Sequence, residues 1–151
     1  MRRPAFAALV ACIAALAAGC GGSDEPERSA LAEELAQLCD EARADVEALG
    51  LPAEKGFAVI PPTAKIGQRL AKDVALLQGT TAHEREQVAS LSKYLAFYYG
   101  ELAAGAKLYA VGQTDAYRIT VERATPTLVS AEALATRMGA PECAVRPFPD
   151  A

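Results

Sequence analysis

The sequence predicts an all-α fold, an antiparallel four-helix bundle, on three observations. Four segments between residues 27 and 138 repeat apolar residues at spacings of three and four, the period of one helix face. Glycine or proline closes each segment, at Gly50 and Pro52, at Gly79, at Gly112, and at Gly139 and Pro141. The connections are short, which makes consecutive helices antiparallel neighbours around one core.

Residues 1–28 precede the bundle. Arg2 and Arg3 are followed by an uncharged run from Pro4 to Gly19, shorter than the roughly 20 apolar residues that a membrane-crossing helix needs. A positive start, a compact apolar run and small residues at its end are the parts of a cleavable export signal. The end of that run, "LAAGCGGS" from Leu16 to Ser23, resembles the lipobox of bacterial lipoproteins, although Ala17 stands where leucine is commonest. The resemblance implies a diacylglycerol on the Cys20 thiol, removal of residues 1–19 and Cys20 as the first mature residue. The expected localisation is then extracytoplasmic, lipid-anchored to a bacterial membrane. Residues 20–28, rich in Gly, Ser and acid, read as the lipidated flexible tether.

The bundle domain is expected over 29–143, with an irregular tail over 144–151. The first helix, 27–49, places Leu31, Leu35, Leu38, Ala42, Val46 and Leu49 on one face and Glu33, Glu34, Glu41, Asp45 and Glu47 elsewhere. The connector "LPAEKGFAVIPP" holds Phe57, Val59 and Ile60, too apolar for a free loop, so it should pack across one end of the core. A second helix from about Pro62 to Gln78 aligns Ile66, Leu70, Val74 and Leu77. The third opens on a capping box, Thr81 with Glu84, and continues Val88, Leu91, Leu95, Tyr98, Leu102, Gly105 and Tyr109 without a slip. In the fourth, "YRITVE" alternates like a strand. Helical spacing nevertheless persists from Tyr117 through Val121, Ala124, Leu128, Ala131 and Leu134 to Met138, so a helix is expected, kinked or broken near Pro126.

Composition excludes several functions. Without residues 1–19 the chain keeps 132 residues, with 13 basic and 19 acidic side chains, a net charge of −6 that disfavours nucleic acid as a partner. Of four cysteines, Cys12 lies in the leader and Cys20 takes the lipid, leaving Cys39 and Cys143. In an oxidising compartment such a pair reads as one disulfide, and the 104-residue separation favours a staple over a C-x-x-C-like redox pair. The single histidine, His83, has no Glu-x-x-His spacing, so no metal and no cofactor is expected. No G-x-S-x-G occurs, and His83 in a first helical turn is a poor general base, so the protein is not read as an enzyme.

Most of the chain resembles small bacterial lipoproteins of uncharacterised function, in which a cysteine of the first helix is followed by a second after an LG-x-x-x-C-like ending. Here that ending is "RMGAPEC", Arg137 to Cys143. The one unusual stretch is "KYLAFYYG", where Tyr94, Phe97, Tyr98 and Tyr99 fall within six positions. Either a central helix is buried on several sides, or Tyr94, Phe97, Tyr98 and, further along, Tyr109 line a groove. The leading expectation is a non-catalytic envelope module, held to the membrane by lipid, that binds another protein. The alternative is a binder of a small apolar ligand in an aromatic-lined interhelical groove.

Overall fold

Ser29 starts the folded body: its Oγ accepts the Ala32 N–H at 3.2 Å, and the N-cap so formed opens α1, Ala30–Ala48. The computed structural model describes residues 29–50, 57–141, 143, 144 and 146. Three more helices follow, α2 at Ile60–Leu76, α3 at Ala82–Ala110 and α4 at Thr114–Arg137, and no strand occurs among the described residues. The four helices pack against one another, with α3 lying extensively along both α2 and α4 and α1 held more sparsely against α2. Cys20, with the leader expected over 1–19 and the tether expected over 20–28, lies outside the described residues.

The α1 core face matches its period: Leu31, Leu35 and Ala42 are buried, and Ala32 and Cys39 join them. Phe57 to Val59 form a single 3₁₀ turn, after which α2 begins at Ile60, two residues earlier than the sequence placed it. Pro61 and Pro62 occupy its first turn, where a missing N–H costs nothing. The buried Thr63 hydroxyl donates to the Val59 carbonyl at 2.9 Å. Val59 and Ile60 are buried, so the described end of the connector does pack into the core.

The buried face of α2 is rotated from the one that hydrophobicity favoured. Thr63, Ala64, Gly67, Leu70, Ala71 and Val74 point inward, while Ile66 and Leu77 are half-buried. The cause lies in α3. Tyr99 is the largest fully buried side chain, and its ring lies flat on the backbone at Gly67, where a Cβ would overlap ring carbons. Only glycine admits so close an approach. The Gln68 side-chain amide then donates to the Tyr99 carbonyl at 3.3 Å, and Ser92 Oγ donates to the Ala71 carbonyl at 2.8 Å. Gly67→Ala is therefore expected to destabilise by about 1–3 kcal/mol, the usual cost of overpacking, despite alanine's higher helix propensity. Urea unfolding checks this, and Gly67→Ala combined with Tyr99→Leu should recover part of the loss.

The capping box of α3 is present in full. Glu84 N–H donates to Thr81 Oγ1 at 3.1 Å, and the Glu84 carboxylate accepts the Thr81 N–H at 2.9 Å. The carboxylate also accepts the Thr80 hydroxyl, and these bonds, the Thr80 hydroxyl foremost, hold the Glu84 pKa below the usual carboxylate range. Val88, Leu91, Leu95, Tyr98, Leu102 and Gly105 are buried as spaced, whereas Tyr109 is partly exposed.

The helical period wins over the "YRITVE" alternation, and α4 is a single helix. Of the kink or break expected near Pro126, the break does not occur: α4 runs without interruption from Thr114 to Arg137. Pro126 is exposed, and Thr125 Oγ1 and Ser130 Oγ donate back to the Val121 and Pro126 carbonyls at 2.9 and 3.0 Å. A proline facing water interrupts one backbone bond without disturbing the packed face of Ala124, Leu128, Ala131 and Leu134. Gly139, at φ +88, ends α4 in a Schellman turn in which the Gly139 and Ala140 N–H groups donate to Thr136 and Ala135 carbonyls at 3.1 and 2.9 Å. A Cβ at Gly139 would lie 3.0 Å from the Ala32 Cβ, so this turn presses directly on α1.

Candidate functional site

The four aromatic residues read as a possible groove divide among three environments. Tyr98 is 5% exposed and belongs to the core, its ring edge-on to Tyr99 with centroids 5.0 Å apart. Burial pushes the Tyr98 phenol above its ordinary 10.0, with nearby Arg146 opposing the shift. Tyr94, 38% exposed, borders a shallow depression shared with His83, Glu86, Gln87, Ser90, Leu134 and Arg137. Phe97, one turn further along α3, is 47% exposed. Helix geometry explains the division: Tyr98 and Tyr99 face two neighbours, and Tyr94 and Phe97 occupy the outward sector of the same turns.

Tyr109 is built into a different cluster at the other end of α3. Its ring stacks on Phe57 with centroids 3.2 Å apart, and Tyr117 of α4 meets Phe57 edge-on at 4.6 Å. Tyr117 also fills the space over Gly105, where a Cβ would stand 3.0 Å from the ring. Burial, with Tyr109 as a lesser cause, raises the Tyr117 pKa. Phe57 thus gives the connector its anchor.

Cys39 and Cys143 are bonded to each other, with Cα atoms 4.7 Å apart across 104 residues of sequence. The bond joins α1 to the chain beyond α4. Both cysteines are almost fully buried, at 2% and 1% exposure. Three residues on, Arg146 grips α4. Its Nε and one terminal nitrogen donate to Glu132 Oε1 at 3.0 and 2.6 Å, and the same terminal nitrogen reaches Oε2 at 2.8 Å. The Glu132 hydrogen bond, and then its charge, hold the Arg146 pKa above the ordinary arginine value. Sequence reasoning missed this clamp, for a pair 14 residues apart, one member lying in an irregular tail, has no period to reveal it.

His83 is exposed in the first turn of α3, and no group of three or more His, Cys, Asp or Glu side chains is poised for a metal among the described residues. A second depression, of about 370 Å³, lies between α1 and α2 and is bordered by Glu41, Asp45, Arg69 and Asp73. Arg69 spans it by pairing with Asp45. No helix among the described residues is long and apolar enough to cross a membrane. No family model, no curated protein and no solved structure matches the chain.

Proposed function

We propose that the chain is a lipid-anchored, extracytoplasmic protein of a bacterial envelope, whose helical body binds another protein and performs no catalysis. The observation that carries the binding reading is the outward placement of Tyr94 and Phe97 on the longest helix, over turns whose inner side is filled by Tyr98 and Tyr99. Aromatic rings exposed on a rigid helix offer large contact area at small entropic cost to a protein partner. The depression beside Tyr94 is shallow, and His83, Glu86, Gln87, Ser90 and Arg137 share its border with Tyr94 and Leu134, a mixed surface that suits a macromolecular partner better than a small apolar ligand. The anchor rests on Ala17-Ala18-Gly19-Cys20 and the acidic tether after it.

The finer architecture belongs to the same proposal: the helices alternate in direction, with α4 bent at Pro126. Pairs between α3 and α4 support the alternation. Gly105 meets Tyr117, Glu101 pairs with Arg123 at 2.7 Å, and Tyr94 shares its depression with Leu134, so α4 ascends as α3 descends. The aromatic cluster around Tyr109 then sits at the end away from Ser29, where the tether enters.

Two experiments test the reading. Cys20→Ser should move the protein from membranes into the soluble extracytoplasmic fraction, and unchanged membrane association would refute the anchor. A photoreactive benzoylphenylalanine in place of Phe97 should give one discrete crosslinked species in intact envelopes. An identical pattern from the same probe in place of the exposed Glu33 would remove the binding surface from α3.

A further inference from the structure

The disulfide is too well covered for a thiol to reach. Thiol–disulfide exchange needs a thiolate to approach one sulfur along the S–S axis, and Cys39 and Cys143 are both closed to solvent. Some part of the fold must move first. On one side stands α1, a 19-residue helix with Leu31, Ala32, Leu35 and Ala42 buried beside Cys39. Moving it exposes much of the core. On the other side stands the chain after α4, where Cys143 is followed by half-buried Ala144 and by Arg146. Beyond the turn that buries Ala140 in the core and sets Gly139 against Ala32, the described attachments of that side are the disulfide itself, the apolar contact of Ala144 with the core, and the Arg146–Glu132 clamp. The cheaper opening is therefore on the Cys143 side beyond Ala140, and the clamp is the polar restraint that the described residues place there.

We infer that the Arg146–Glu132 ion pair is a gate on the Cys39–Cys143 disulfide, setting how fast reductants open it while the helical body stays folded. In the gated step a thiolate of dithiothreitol attacks one protein sulfur, forming a mixed disulfide and expelling the other cysteine as thiolate. The second dithiothreitol thiol then displaces the protein, leaving cyclic oxidised dithiothreitol and, after proton uptake, two protein thiols. Glu132 and Arg146 take no part in the exchange. They hold Cys143 where no thiolate can align with it. The geometry favours an appreciable restraint, because the guanidinium engages both carboxylate oxygens and both side chains are only partly exposed, 41% and 28%.

The test is the pseudo-first-order rate of reduction of the folded mature-length protein by excess dithiothreitol, followed by alkylation and intact mass. Arg146→Gln and Glu132→Gln should each accelerate reduction about fivefold, the effect of losing a well-formed, partly exposed ion pair. Arg123→Gln, which removes the Glu101 pair across α3 and α4, should leave the rate near wild type. Exchanging the charges, Glu132→Arg with Arg146→Glu, should restore slow reduction. The inference is overturned if Arg146→Gln is reduced at the wild-type rate, or if Arg123→Gln accelerates reduction as much. A rate that simply follows the global unfolding equilibrium across all variants overturns it too, since the opening would then be unfolding itself.

Discussion

Removing the disulfide, by Cys39→Ser with Cys143→Ser, is expected to cost up to about 4.7 kcal/mol of stability, the chain-entropy value for a closed loop of about 100 residues. The loop spans 104 residues, nearly all of the described body. Residual structure in the unfolded chain lowers the figure, so a loss on the order of 3–4 kcal/mol and a fall in Tm on the order of 10–20 °C are the working expectation. The folded state should nevertheless keep its helices at ambient temperature. The bond limits the unfolded ensemble, whereas Leu31, Leu35 and Ala42 still bury α1. Circular dichroism melts of the oxidised protein and the double variant measure both quantities. Equal melting temperatures would mean that the crosslink constrains nothing, and a lost helical signal at 25 °C would mean that α1 is held by the bond alone.

Leu95→Ala should be nearly as damaging, at about 2–5 kcal/mol. Leu95 is fully buried near the middle of α3, with Leu91 and Tyr99, each one turn away, equally closed to solvent. Helices on two sides leave the site little room to collapse around the missing atoms, which places the cost toward the upper part of that range. Phe97→Ala, two residues away but exposed, serves as the contrast and should change stability by less than about 0.5 kcal/mol. Parallel urea titrations of the two variants decide the matter. A Leu95→Ala loss below about 0.5 kcal/mol would reverse the assignment of the inner face of α3.

The regular parts of this fold were legible because they obey a period. In α3 the stripe from Val88 to Gly105 and the Thr81–Glu84 box are both visible in the sequence and both present in the structure. The α2 face was not legible in the same way. Close packing of Tyr99 selects Gly67, and the small residues Ala64 and Ala71 are buried on the same face, whereas hydrophobicity draws attention to Ile66. An isolated glycine inside an apolar helical run was the available signal of close approach. At Pro126 the helix is not broken, because proline's cost depends on which side of the helix it faces, and an exposed position leaves the inner face continuous. The cysteine pair was reached by counting thiols. The groove was legible only in part: the stripe placed Tyr98 inward, but how far Tyr94 and Phe97 stand open depends on the neighbouring helices, which no period reveals.

The position of the disulfide also governs what the protein does under tension. A pull on the chain from before Ser29 against a hold beyond Cys143 would run through the first ten residues of the body, cross at Cys39 and leave at Cys143. Residues 40–142, between the cysteines, carry none of that load, although stretched out they would measure roughly 350 Å. The half of α1 after Cys39 and the whole of α2, α3 and α4 are mechanically shielded, and the body transmits force as a short link. Only a load applied inside the loop, such as a partner pulling on the outer face of α3, reaches the helices and can shear them apart.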